Sequence, residues 1–127
     1  MNTFANYANE KKKQELALLL QLRHKGQSKA ATGNTLIAEL YGLDAAQDKS
    51  YNNRYHRSLR LMIEEINQEG GVICSDSVNG YWWAADLKDG MPAAEKNEAR
   101  ALTQLENAKR LKENIVNQYG GQIGMGI

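Results

Sequence analysis

The side chains with most to offer a ligand lie between Ser50 and Arg60: Ser50, Asn53, Arg54 and Arg57, with Arg60 close by. Arginine pairs bidentately with guanine and asparagine with adenine, so a helix carrying both on one face has the donors and acceptors that read base edges in a major groove. At about 100° per residue, Ser50, Asn53, Arg54 and Arg57 fall opposite the apolar stripe Tyr55, Leu59, Met62, Ile63 and Ile66, and Arg60 lies on the flank of that face. Glu64, Glu65 and Glu69 follow on the same helix and repel phosphate, so only its N-terminal half suits a groove. Lys11, Lys12, Lys13, Lys25 and Lys29 offer phosphate contacts, each released counterion adding to the salt dependence; the run at 11–13 equally suits the solvated end of a helix. Ser75, Ser77 and Asn79 are neutral partners for phosphate in a turn-rich segment, with Asp76 expected to turn inward and hold that turn.

Other chemistries find little support. His24, His56 and Cys74 stand at unrelated spacings, whereas structural zinc needs four convergent ligands, and a thiol in a half-buried strand is poorly activated. No phosphate-cradling glycine loop and no paired acidic motif is present. The expectation is a protein without catalysis, cofactor, metal or small-molecule substrate. Trp82 has two readings: an exposed platform for a base or a partner protein, or an aromatic that packs on a neighbouring element such as the C-terminal helix.

The chain has 127 residues, 42% hydrophobic and 24% charged, which suits one core with an appendage. Its formal charge of +1 hides an asymmetry: ten Lys/Arg against five Asp/Glu up to Arg60 give +5, and the remainder carries −4. A single cysteine forms no intrachain disulfide and points to a reducing compartment, so a cytoplasmic location is expected. The longest apolar run, Leu16 to Leu20, is too short to cross a bilayer.

The elements that must position these residues are legible in outline. After a polar tail over 1–9, Asn9 can cap a helix from Glu10, with Leu16, Leu19 and Leu20 inward and Gly26 as its stop. Thr32 can cap a second helix with Leu36, Ile37 and Leu40 inward, ended by Gly42. Asp44 to Ser50 reads as a loop or a loosely capped helical start. A third helix runs from about Tyr51 to Glu69 and ends at Gly70-Gly71. Val72 to Ser75 and Tyr81 to Ala85 form a hairpin whose Asn79-Gly80 pair tolerates positive φ, with Tyr81 and Trp83 on one face and Trp82 on the other. An acidic connector, 86–90, leads to a helix from Pro92 to Tyr119 whose seam is Ala101, Leu105, Ala108, Leu111, Ile115 and Tyr119, and a glycine-rich tail, 120–127, is expected to be mobile.

Three helices closed by a hairpin is the order of a winged helix-turn-helix. Thr32 to Leu43 resembles the first helix and turn of that motif, Arg57 to Gly71 its recognition helix, and Val72 to Ala84 the wing of small bacteriophage and prophage winged-helix proteins. The resemblance spans about Glu10 to Asp86 and implies an α+β fold: a winged helix-turn-helix domain over 10–85 with a two-stranded wing, then a connector and long C-terminal helix over 86–119. It further implies a double-stranded DNA-binding protein, a phage or prophage transcriptional regulator or replication accessory factor. Two features depart from the pattern, the long turn before the recognition helix and the double tryptophan Trp82-Trp83, and the wing carries no Lys or Arg. The alternative is a protein-interaction module built on Trp82 and the C-terminal helix, with Leu105, Leu111 and Ile115 at the contact. That seam cannot stay exposed alone in water, so it folds back on its own domain or pairs with a second copy as a homodimer.

Overall fold

The structure is a computed structural model that describes residues 9–43 and 52–126. It is an α+β chain in the order α1 (Glu10–Arg23), a single 3-10 turn (Gln27–Lys29), α2 (Gly33–Tyr41), α3 (Asn52–Gln68), β1 (Ile73–Asp76), β2 (Gly80–Trp83) and α4 (Leu87–Gly126). It divides into two compact units, Met1–Ala93 and Ala94–Ile127.

Each of the first two helices starts where a side chain satisfies an otherwise orphaned N–H. The Asn9 amide oxygen accepts from the Lys12 N–H at 2.8 Å, and the Thr32 hydroxyl accepts from Thr35 at 3.2 Å. Their apolar positions then meet: Leu16 and Leu20 of α1, Leu36, Ile37 and Leu40 of α2, and Leu59, Met62 and Ile66 of α3 are buried together with Ala31 and Ile73. Tyr41, Tyr55, Ile63, Tyr81 and Trp83 close the edges of this core. Full burial of an aliphatic side chain of this size is worth about 1.5–3 kcal/mol, so this cluster is the main source of stability in the first unit.

The hairpin is antiparallel, with Ile73 opposite Trp83, Cys74 opposite Trp82, Ser75 opposite Tyr81 and Asp76 opposite Gly80. It is fastened at both ends. At the α3 exit Asn67 makes a reciprocal pair with Ile73, donating to its carbonyl and accepting from its N–H, both at 2.9 Å. Gly71 lies so close to Ile66 that an added Cβ would stand 2.5 Å from the Ile66 side chain. On the other edge, the segment between α1 and α2 pairs with β2. Ala31 exchanges backbone hydrogen bonds with Tyr81 at 2.8 and 2.7 Å, Gly26 donates to Trp83 at 2.8 Å, and Trp83 donates to His24 at 2.8 Å. This segment is thus the third partner of the hairpin, covering an edge of β2 that would otherwise be unpaired.

Two expectations about the C-terminal helix are corrected. The acidic connector is its N-cap: the Asp86 carboxylate accepts from the Asp89 N–H at 2.8 Å, so α4 begins at Leu87 and Pro92 lies inside it. At the far end helical backbone continues through Gly120-Gly121 to Gly126. Glycine ends a helix when it takes a left-handed conformation, and Gly120 does not. Residues 44–50, left open as loop or helix, lie outside the described residues.

Candidate nucleic-acid interface

The buried and half-buried side chains of α3 are Tyr55, His56, Ser58, Leu59, Met62, Ile63, Glu65 and Ile66, of which His56 and Glu65 lie on opposite flanks and leave the mean inward direction unchanged. Ser58 is 0% exposed and does not belong to the apolar stripe, so it turns the inward direction of the helix. Opposite that direction, at 100° per residue, Arg57 stands within about 10°, Arg60 within about 50° and Arg54 at about 70°. The order of the last two therefore reverses the sequence expectation, in which Arg60 was the flanking residue. All three are exposed, and neither Arg57 nor Arg60 makes an ion pair among the described residues. Glu64 shares the outward direction one turn further on, so the basic character ends there. Ser50 lies outside the described residues, as does the side chain of Asn53.

The lysine run is largely committed elsewhere. Lys13 is 7% exposed, and its ammonium lies 2.6 Å from Glu69, 3.1 Å from Glu10 and 3.7 Å from Glu65. The hydrogen bonds it donates to Glu69 and Glu10 push its pKa up, so it is held as a cation among carboxylates. Lys12 donates to the Leu40 carbonyl at 2.6 Å, pairs with Glu15 at 3.2 Å and lies 5.1 Å from the centre of the Tyr41 ring. Both are corrected from phosphate ligands to fastenings between α1 and its neighbours. Glu65 and Glu69, which hold Lys13, lie about 12 to 18 Å along α3 from Arg57, so the start of α1, exposed Lys11 included, adjoins the acidic end of α3. Lys25 and Lys29 are exposed.

The hairpin turn is built on Asp76 as expected. Its carboxylate accepts the N–H groups of Val78 and Asn79 and the Asn79 side-chain amide at 2.8 Å, with Gln27 reaching it at 3.3 Å. The bonds from Asn79 are the largest cause that brings its pKa down to about 2. Asn79 is accordingly occupied within the turn and has no positive φ; Gly80 alone takes that conformation, at +95°. A Cβ on Gly80 would stand 2.3 Å from the Ala31 carbonyl oxygen, and the sequence pair Asn79-Gly80 marked the right place for half of the right reason. Ser77 is exposed at the tip.

Trp82 is 1% exposed, which rules out a stacking platform and a direct partner contact. Its face of the hairpin is covered by the start of α4: Ala93 is buried there, and Gly90 lies beside Ala84 and the Cys74 sulfur. Asp89 in that first turn accepts N–H groups from Gln27 and Ala85, both at 3.0 Å, and these bonds lower its pKa. The Trp82 indole N–H also favours the ionised carboxylate without reaching hydrogen-bonding geometry. Sequence analysis missed this brace, although Asp86-Leu87-Lys88-Asp89 has the spacing of a capping box.

The exposed N-terminal half of α3 is joined to the N-terminus of α2. His56 Nε2 lies 2.9 Å from Asn34 Oδ1, and its ring stands 2.9 Å from where a Gly33 side chain would begin. Burial and then the Arg60 charge lower the His56 pKa, which keeps the ring neutral at physiological pH. Gly80 abuts Ala31 and Thr32 immediately before that same terminus. Arg57 and Arg60, the exposed Asn34 and Thr35, and the hairpin turn thus border one terminus. Asn34 was not among the sequence candidates; an asparagine at the start of a helix reads as capping or solvent-facing, and its pairing with His56 is tertiary.

His24 binds the Lys29 carbonyl and Glu39 through its two ring nitrogens, both at 2.9 Å, so its part is to join α1 to α2. Burial, then the Asp89 charge, raises the Cys74 pKa. Among the described residues no cluster of three or more His, Cys, Asp or Glu is arranged to hold a metal, and no helix is long and apolar enough to cross a membrane. No protein-family model, curated protein or solved structure matches the chain.

Proposed function

We propose that this chain binds double-stranded DNA through a winged helix-turn-helix, with α3 as the recognition helix and the hairpin as the wing. The observation that carries the reading is the pair Arg57 and Arg60, exposed and without ion pairs among the described residues on the outward side of the N-terminal half of α3. Arg54 extends the same surface, and the α2 N-terminus beside it supplies a positive helix dipole end for a backbone phosphate. The pairing of the 24–31 segment with β2 suits a wing held rigidly beside the recognition helix. The role that follows is a non-catalytic regulator of transcription or a replication accessory factor, of the phage or prophage kind its wing resembles. An interaction module centred on Trp82 is the weaker reading, because that ring is buried.

The test is titration of a labelled duplex of mixed sequence with the wild type and with Arg57→Ala/Arg60→Ala, the helical content of both being checked by circular dichroism. The expected result is at least a tenfold loss of affinity, from about 1–3 kcal/mol per arginine contact, together with a shallower salt dependence. Equal affinity and equal salt slope for the two proteins overturn the proposal.

A further inference from the structure

Every side chain from Ala94 to Tyr119 is exposed, including Leu105 at 51% and Tyr119 at 46%. Taken by itself, this stretch of α4 carries a coiled-coil pattern. Spacings of three and four place Ala94, Glu98, Ala101, Leu105, Ala108, Lys112, Ile115 and Tyr119 on one seam. Two charges sit in that seam, Glu98 toward one end and Lys112 toward the other, and they decide what can cover it.

We infer that the seam is covered by the same helix of a second copy, running antiparallel. A parallel partner in register sets Glu98 against Glu98 and Lys112 against Lys112, two like-charge contacts inside an apolar seam. The antiparallel register that centres the pair between Glu106 and Asn107 sets Leu105 against Ala108, Tyr119 against Ala94, Lys112 against Ala101 and Ile115 against Glu98. Each alanine then faces a large side chain, so the seam fills without voids. Glu98 of one copy and Lys112 of the other fall one layer apart, about 4.5 Å along the axis, within reach of an ion pair made twice by symmetry. Leu102, Leu111 and Val116, all exposed, flank the seam and widen the apolar contact. The paired length from Ala94 to Tyr119 is about 38 Å, or nearly four heptads. The inference concerns α4 alone and does not rest on the reading of the first unit as a DNA binder.

The experiment is sedimentation equilibrium of the full chain, without DNA, for the wild type, Glu98→Lys, Lys112→Glu and the double variant. Both substituted positions are exposed in the single chain, and circular dichroism verifies that each protein keeps its helix content. A wild-type dimer is expected, weakened roughly tenfold by either single charge reversal, because each makes two like-charge contacts, and restored in the double variant. A parallel pair answers differently: each single variant exchanges one like-charge contact for another, and no change results. A monomeric wild type at high micromolar concentration, single variants that dimerise like the wild type, or a double variant that stays weak each overturn the inference.

Discussion

At the scale of single residues, the two strongest pKa shifts among the described residues mark side chains that build the fold. Lys13 sits among Glu10, Glu65 and Glu69, and Asp76 gathers the donors of its own turn. Asp76 provides a direct test. Its folded pKa, about 2, lies below the ordinary carboxylate value near 3.9 of an unfolded chain. A depressed acid stabilises the fold at pH values above its unfolded pKa, and that contribution fades as pH falls from about 4 toward 2. The Asp76 carboxyl carbon, followed by NMR between pH 5 and 1.5, is expected to titrate near 2, with the Val78 and Asn79 amide shifts moving together with it; a midpoint near 3.9 contradicts the arrangement. The chemistry of these residues is readable from their types, but which partner each one finds is not. Lys12 and Lys13 look like the neighbouring Lys11 in sequence, and only the packing of α1 against α2 and α3 turns them inward.

Among the elements, the hairpin is the one whose position is most tightly specified, held by Asn67 on one side and by Ala31 on the other. Gly80 is where that fit is closest. Its φ of +95° and the 2.3 Å that an added Cβ would leave to the Ala31 oxygen allow no room for a side chain. Gly80→Ala is therefore expected to destabilise the protein by roughly 1–3 kcal/mol, the range for a strained backbone position, seen as a lowered urea midpoint with an unchanged slope. Val78→Ala, at a turn position 85% exposed, is the control and is expected to stay within about 0.5 kcal/mol of the wild type. Equal midpoints for the two variants argue against the close approach. Helix caps at Asn9 and Thr32 and the stripes of α1, α2 and α3 follow from local pattern, which is why they agree with the sequence. The α4 start lies ahead of the Pro92 signal because Asp86 caps it, and helix termini depend on which orphan N–H groups find a partner.

Across the whole molecule, the charge asymmetry has a smaller consequence than the composition implies. Under the proposed DNA binding, the eight cations among the sequence candidates, Lys11, Lys12, Lys13, Lys25, Lys29, Arg54, Arg57 and Arg60, correspond to a salt slope of about −7 if all meet phosphate. With Lys12 and Lys13 engaged in the fold and Lys11 at the acidic end of α3, five remain, and the slope of log affinity against log salt concentration is expected at about −4.5. Binding of a mixed-sequence duplex between about 50 and 200 mM salt measures it, and a slope of about −7 returns the N-terminal lysines to the interface. Taken by itself, the sequence determined the helix stripes, two of the caps, the hairpin and its two faces, because periodicity and capping are set by residues within a few positions of one another. Only the tertiary structure decided which lysines are spent on carboxylates, that Trp82 is buried beneath the start of α4, that the 24–31 segment pairs with β2, and that Arg60 faces outward more squarely than Arg54. The contacts that decide those outcomes reach across 16 to 62 positions of the chain, and spacing along it carries no record of which distant partner satisfies a buried charge or an unpaired strand edge.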